Sequence, residues 1–107
     1  MANIKVWLEE AEKRYGEMIE AIVVGQHDNV PWPKPNLEAD EGVVLSREVG
    51  LAKLDQEYNN GYGGAGCYPM YAWTKSRVFF IGEYDGSTGL SHLPRNPIDC
   101  EPHFSGG

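Results

Sequence analysis

The sequence predicts an α+β fold, an antiparallel or mixed sheet of four to five strands with two helices packed on one face. Three observations predict it: a helical apolar periodicity near the N-terminus, a second capped helix mid-chain, and a last third of strand-like runs separated by turn residues. The order is helix, strand, strand, helix and then three strands. The first two strands are joined by a loop and not by a helix, which disfavours a doubly wound parallel sheet. At 107 residues with 41% apolar content, the chain has the size of a single domain, residues 1–107, with one core.

Ile4, Trp7, Leu8, Ala11 and Tyr15 recur at the i, i+3, i+4, i+7 spacing of one helical face, with Trp7 at the centre of the stripe and Glu9, Glu10, Glu12, Lys13 and Arg14 opposite. Asn3 can cap this helix and Gly16 can end it. The β-branched run over 19–24 then reads as a strand closed by Gly25. A continued helix is the competing reading of 17–24, because Met18, Ile19 and Ile22 keep the helical spacing. Pro31, Trp32, Pro33, Lys34 and Pro35 form an extended loop, since each Pro lacks an amide donor and restricts the residue before it.

Val43, Val44 and Leu45 make a short strand, and Ser46 caps a helix with Glu48 in its first turn. Val49, Leu51, Ala52, Leu54 and Tyr58 lie on the apolar sides of that helix, Gly50 weakens it by about 1 kcal/mol, and Asn59, Asn60 and Gly61 end it. Strands follow over 70–74, 78–84 and 90–93, the last after turn residues 85–89. Val78, Phe79, Phe80 and Ile81 are apolar on both faces, as in a central strand covered on both sides. Residues 94–107 lack periodicity and read as an irregular C-terminal tail that packs through Ile98 and Phe104.

The formal net charge is -7, and it is concentrated in the first half: residues 1–60 carry 12 acids against 6 bases, residues 61–107 only 4 against 3. With no basic stripe to neutralise phosphates, direct nucleic-acid binding is disfavoured, and so is adhesion to anionic membranes. The first 20 residues hold five glutamates and read as neither signal peptide nor membrane span. Cys67 and Cys100 are therefore expected as reduced thiols in a cytoplasmic protein.

Residues 61–66 match G-x-G-x-x-G, but the run follows a helix and leads to Pro69, whereas a dinucleotide fingerprint follows a strand and opens a helix. Cys67, His92, Cys100 and His103 are four potential zinc ligands of which only Cys100 and His103 are closely spaced, so no metal and no cofactor are expected. His27 beside Asp28 reads as a turn signal. Recognised hydrolase, protease, P-loop and kinase motifs are lacking, so no catalytic residue is assigned.

The expected function is that of a small acidic, non-enzymatic binding or inhibitor-type protein that docks on a protein partner, by charge complementarity to a basic or nucleic-acid-binding surface. Small accessory proteins, including those carried by phages, share this profile. Glu9, Glu10 and Glu12, on the side expected to be exposed, would supply the charge. Tyr62, Tyr84, Asp85 and Arg95 would supply rigid contacts on turn-rich loops. The alternative is a small-ligand, nucleotide-like binder using the Gly/Tyr-rich loop 58–68 and the loop 84–97, and a further one is a small enzyme with an unfamiliar site. The oligomeric state is left open.

Overall fold

The structure, a computed structural model, describes residues 1–25, 41–61 and 67–104. The elements run in the order α1 (Ile4–Tyr15), β1 (Ala21–Val24), β2 (Val44–Leu45), α2 (Arg47–Lys53), β3 (Met70–Trp73), β4 (Arg77–Tyr84) and β5 (Ser87–Pro94). The strands form one sheet in the order β2-β1-β3-β4-β5, and every neighbouring pair is antiparallel. The fold is therefore α+β with a five-stranded antiparallel sheet and both helices on one face.

Local chemistry sets the ends of α1. The Asn3 side chain accepts from the Val6 amide at 3.3 Å, and Gly16 closes the helix in the left-handed region at φ 68°, donating its amide to the Glu12 carbonyl. That left-handed residue stops the helical periodicity at 16, which settles residues 21–24 as strand. Leu8 and not Trp7 is the centre of the buried stripe: Leu8 is fully buried, while Trp7 is half-buried and meets Tyr58 edge-on with ring centroids 6.0 Å apart. The stripe is rotated because Ile4, Leu8, Ala11 and Glu12 face the core.

Ser46 caps α2, accepting from the Val49 amide at 3.2 Å, but the helix ends at Lys53, well before Tyr58. Tyr58 is drawn away by an antiparallel bridge to Ala2, with amide-to-carbonyl distances of 2.8 and 2.9 Å, and its hydroxyl meets Thr88 Oγ1 at 3.0 Å. Val49 turns outward, whereas Gly50, Leu51 and Leu54 are buried. Gly50 is more than a weak helix former: a Cβ there would lie 2.6 Å from Ile22 Cβ, so glycine lets α2 close onto β1.

β4 and β5 pair along their full length from Arg77↔Pro94 to Tyr84↔Ser87, so β5 begins three residues earlier than the turn-rich composition of 85–89 suggests. Only Asp85 (φ 51°) and Gly86 (φ 80°) form the turn, both left-handed, as in the two-residue turn whose twist matches a hairpin. Beyond Pro94, residues 95–104 contain neither helix nor strand and are exposed. Ile98 and Phe104 do not pack; they are 63% and 95% exposed. Among the described residues no helix is long and apolar enough to cross a membrane.

Candidate functional site

Cross-strand partners share a face of a sheet, so the register assigns every strand residue to one side or the other. Ile22, Ala72, Phe79 and His92 align across β1, β3, β4 and β5 on the helix-covered side, where Ile22, Ala72 and Phe79 join the core with Leu8, Leu51 and Leu54. The opposite side carries Val44, Val23, Tyr71 and Phe80 in one row and Trp73, Val78 and Leu93 in the next. Among the described residues, no strand position on that side holds a charge.

Neither helix covers this second face. Val44 is 69% exposed, Tyr71 57% and Leu93 46%, while Val23, Trp73, Val78 and Phe80 are half-buried. A depression of about 360 Å³ lies on it between Val23, Tyr71, Phe80, Gly25 and Pro69. Among the described residues, the double-sided apolar pattern of Val78, Phe79, Phe80 and Ile81 thus has helices on one side only. Water against the other side is unfavourable at about 25 cal/mol per Å² of apolar surface.

Of the three acids expected to form a docking surface, one is engaged inside the molecule. Glu12 is buried, a correction to its expected exposure: its carboxylate accepts from Arg47 at 2.8 and 2.7 Å and from the Ile19 amide at 2.8 Å. The Arg47 hydrogen bond, offset in part by burial, holds the Glu12 carboxyl below its usual range. Its position on the flank of α1 facing α2 turns it away from solvent and towards Arg47. Glu9 is half-buried and pairs with Lys5 at 3.2 Å, and Glu10 is exposed with no ion pair among the described residues.

Two further acids tie the hairpin to the start of the sheet. Glu17 accepts from Thr74 Oγ1, the Ser76 amide and Ser76 Oγ, which lowers its pKa, and it lies 3.6 Å from Arg77. Arg95 donates to Glu20 at 2.5 Å and to the Thr74 carbonyl at 2.9 Å. It thereby fastens the chain leaving β5. Tyr84 and Asp85 are exposed at the hairpin tip, at the other end of β4 and β5 from Arg95, so these three residues do not form one surface. Tyr62 with its glycine loop, the His27 and Asp28 pair, the Pro-rich segment and residues 105–107 lie outside the described residues.

A second feature sits on the helix-covered side. Trp7, Glu10, Ala11 and Arg14 of α1 form one wall of a cleft of about 280 Å³, with Phe79, Leu90 and His92 as its floor. His92 lies 3.1 Å from the Tyr15 hydroxyl through Nε2 and edge-on to that ring at 5.1 Å. Burial, followed by the charges of Arg77, His103 and Arg14, holds the His92 imidazole below its ordinary value of 6.5. Arg77 stacks over Tyr15 at 4.1 Å. Nothing in the sequence around His92 marks it, because its neighbours are supplied by α1 and the C-terminal segment.

His92 and His103 approach with ring centroids 6.4 Å apart, but Cys67 is buried beside Tyr58. Among the described residues no three His, Cys, Asp or Glu side chains are grouped to hold a metal. Burial pushes the Cys67 thiol up and the Tyr58 phenol to about 12. Both cysteines are free, Cys67 buried and Cys100 exposed. No family model matches the chain, and neither curated proteins nor solved structures give a match.

Proposed function

We propose that the protein is a non-enzymatic docking module that binds a protein partner through the helix-free face of its sheet, in the reducing, cytoplasmic compartment where Cys67 and Cys100 stay thiols. The supporting observation is the uncharged row of Val44, Val23, Tyr71 and Phe80 in a chain of net charge -7. Contiguous exposed apolar surface with aromatic side chains has the composition of an interface centre. The complementary partner carries an apolar patch bordered by Lys and Arg. The apolar centres then exclude water from each other, and the net negative charge of the chain speeds encounter. Nucleic acid does not suit a face that offers its phosphates no cation.

The test is photo-crosslinking from position 71, with a photoreactive phenylalanine analogue in place of Tyr71, in lysate of the native cell. A discrete adduct is expected, lost on joint Val44→Lys and Leu93→Lys substitution and formed more slowly, but to the same extent, on joint Glu9→Lys and Glu10→Lys substitution. An adduct of twice the chain mass assigns the face to a second copy and overturns the reading. So does the absence of any adduct, or an adduct lost only with the glutamate reversals.

A further inference from the structure

The cleft beneath α1 lies on the other side of the sheet from the docking face and shares with that reading only Glu10, one of the two acids whose reversal tests the rate of encounter. Its chemistry is mixed. Around the helix axis, Trp7, Glu10 and Arg14 occupy the flank of α1 that overhangs β4 and β5, while Glu12 lies on the opposite flank against Arg47. Leu90 and His92, on one face of β5, form the floor, and the half-buried Trp7 supplies an aromatic wall. At neutral pH His92 is uncharged, so the floor accepts a ring without burying a cation under it.

Glu10 and Arg14 stand one helical turn apart, so their Cβ atoms are about 5–6 Å from each other. No ion pair joins them among the described residues. An ionised carboxylate only accepts hydrogen bonds and a guanidinium only donates them. A flat ligand that meets each of them with two hydrogen bonds carries two adjacent donors on one edge and two adjacent acceptors on another. Guanine has that pattern: N1–H with the exocyclic amine faces a carboxylate, and O6 with N7 faces an arginine. Adenine alternates donor and acceptor on both edges and satisfies neither group twice.

We propose that this cleft is a binding site for a guanine base, with the ring between Trp7 and the Leu90 and His92 floor, Glu10 on the donor edge and Arg14 on the acceptor edge. The net charge of -7 disfavours polyphosphates, so the ligand is a nucleoside or monophosphate. The probes are guanosine and adenosine 5′-monophosphate, which carry equal charge, titrated against the full chain and followed by calorimetry and by the His92 ring signals in NMR. Saturable binding of the guanine nucleotide is expected, at least roughly tenfold tighter than the adenine one.

Glu10→Gln should remove that preference, and Arg14→Gln should weaken the guanine nucleotide by a similar factor, with the thermal midpoint unchanged because both side chains lie on the rim. No saturation at millimolar nucleotide overturns the proposal. Equal affinity for the two nucleotides, or a guanine preference that survives Glu10→Gln, does so equally. The docking reading stands or falls separately, since its crosslink reports from the opposite face.

Discussion

Glu12 is the residue whose removal the fold should resist most. Its carboxylate is shared between an arginine on α2 and the Ile19 amide, so Glu12→Gln leaves the half-buried Arg47 with only the exposed Glu48, 3.9 Å away, as a counter-charge. A loss of about 2–4 kcal/mol is expected in urea unfolding, and joint Glu12→Met and Arg47→Met substitution should recover much of it, because an apolar pair leaves no orphaned charge. A single-variant cost near zero contradicts the burial. The pH dependence has a definite sign. A carboxyl whose folded pKa is depressed gives stability that is present above its ordinary pKa near 4.5 and lost as pH falls through the folded value. His92, also depressed, binds its proton more readily when unfolded, so it too destabilises on acidification, beginning below about 6.5. Stability should therefore decline in two stages from pH 7 to pH 3, and His92→Gln should abolish the first.

Gly50 opposes two effects of known size. Alanine raises helix propensity by about 1 kcal/mol, yet its Cβ would sit 2.6 Å from Ile22 Cβ and 2.7 Å from Ile22 Cδ1. A contact that close between a helix and a central strand forces the backbone apart, at about 1–3 kcal/mol. Gly50→Ala should therefore lower the thermal midpoint; a rise would mean that α2 is not held against β1.

At the scale of elements, α1 is anchored by depth of burial and not by side-chain size. Leu8→Ala should cost about 3 kcal/mol, and Trp7→Ala less, about 1–2 kcal/mol, since Trp7 loses the Tyr58 edge contact but leaves a cleft open to water instead of a sealed cavity. Chemical denaturation of the two variants orders them, and the reverse order contradicts the rotated stripe. The hairpin of β4 and β5 is anchored differently. Its tip depends on two left-handed residues, and its base on Arg95, which donates to Glu20 and Thr74 from the chain just past β5. Thr88 on the outer edge of β5 is already bonded to Asn60, with its amide donating at 3.0 Å and its carbonyl accepting at 3.3 Å, which blunts that edge against further strand pairing.

Among the described residues, one face of the sheet is covered by the two helices and the other is apolar and carries no helix. This asymmetry separates the two cysteines as well. Cys100 lies on the exposed segment past β5 and should react with iodoacetamide without denaturant; Cys67, buried with a raised thiol pKa, should react only on unfolding. Mass spectrometry after brief labelling counts one adduct in the native state and two in urea. Two native adducts would show that the region around Tyr58 opens. The molecule's charge also looks different once folded: Glu12, Glu17 and Glu20 are bound to arginine or hydroxyl groups, so the acidic character available to a partner is smaller than the count of acids suggests.

The sequence alone determined the elements and several of their ends. Asn3, Gly16 and Ser46 act on amides and carbonyls within four residues of themselves, and chemistry that local can be read without knowing the fold. The same holds for the strand composition of 78–84 and for its double-sided apolar pattern. Where α2 ends, which side chains of α1 face inward and which face of the sheet stays open were decided by tertiary structure. Tyr58 left the helix to pair with Ala2, and Glu12 turned inward to meet Arg47, 35 residues away. Tyr15 and His92 meet across 77 residues, so the cleft they line had no signature in either segment. Periodicity gives a helix a polar side, but only the partner packed against that side decides whether a carboxylate on it meets water or an arginine.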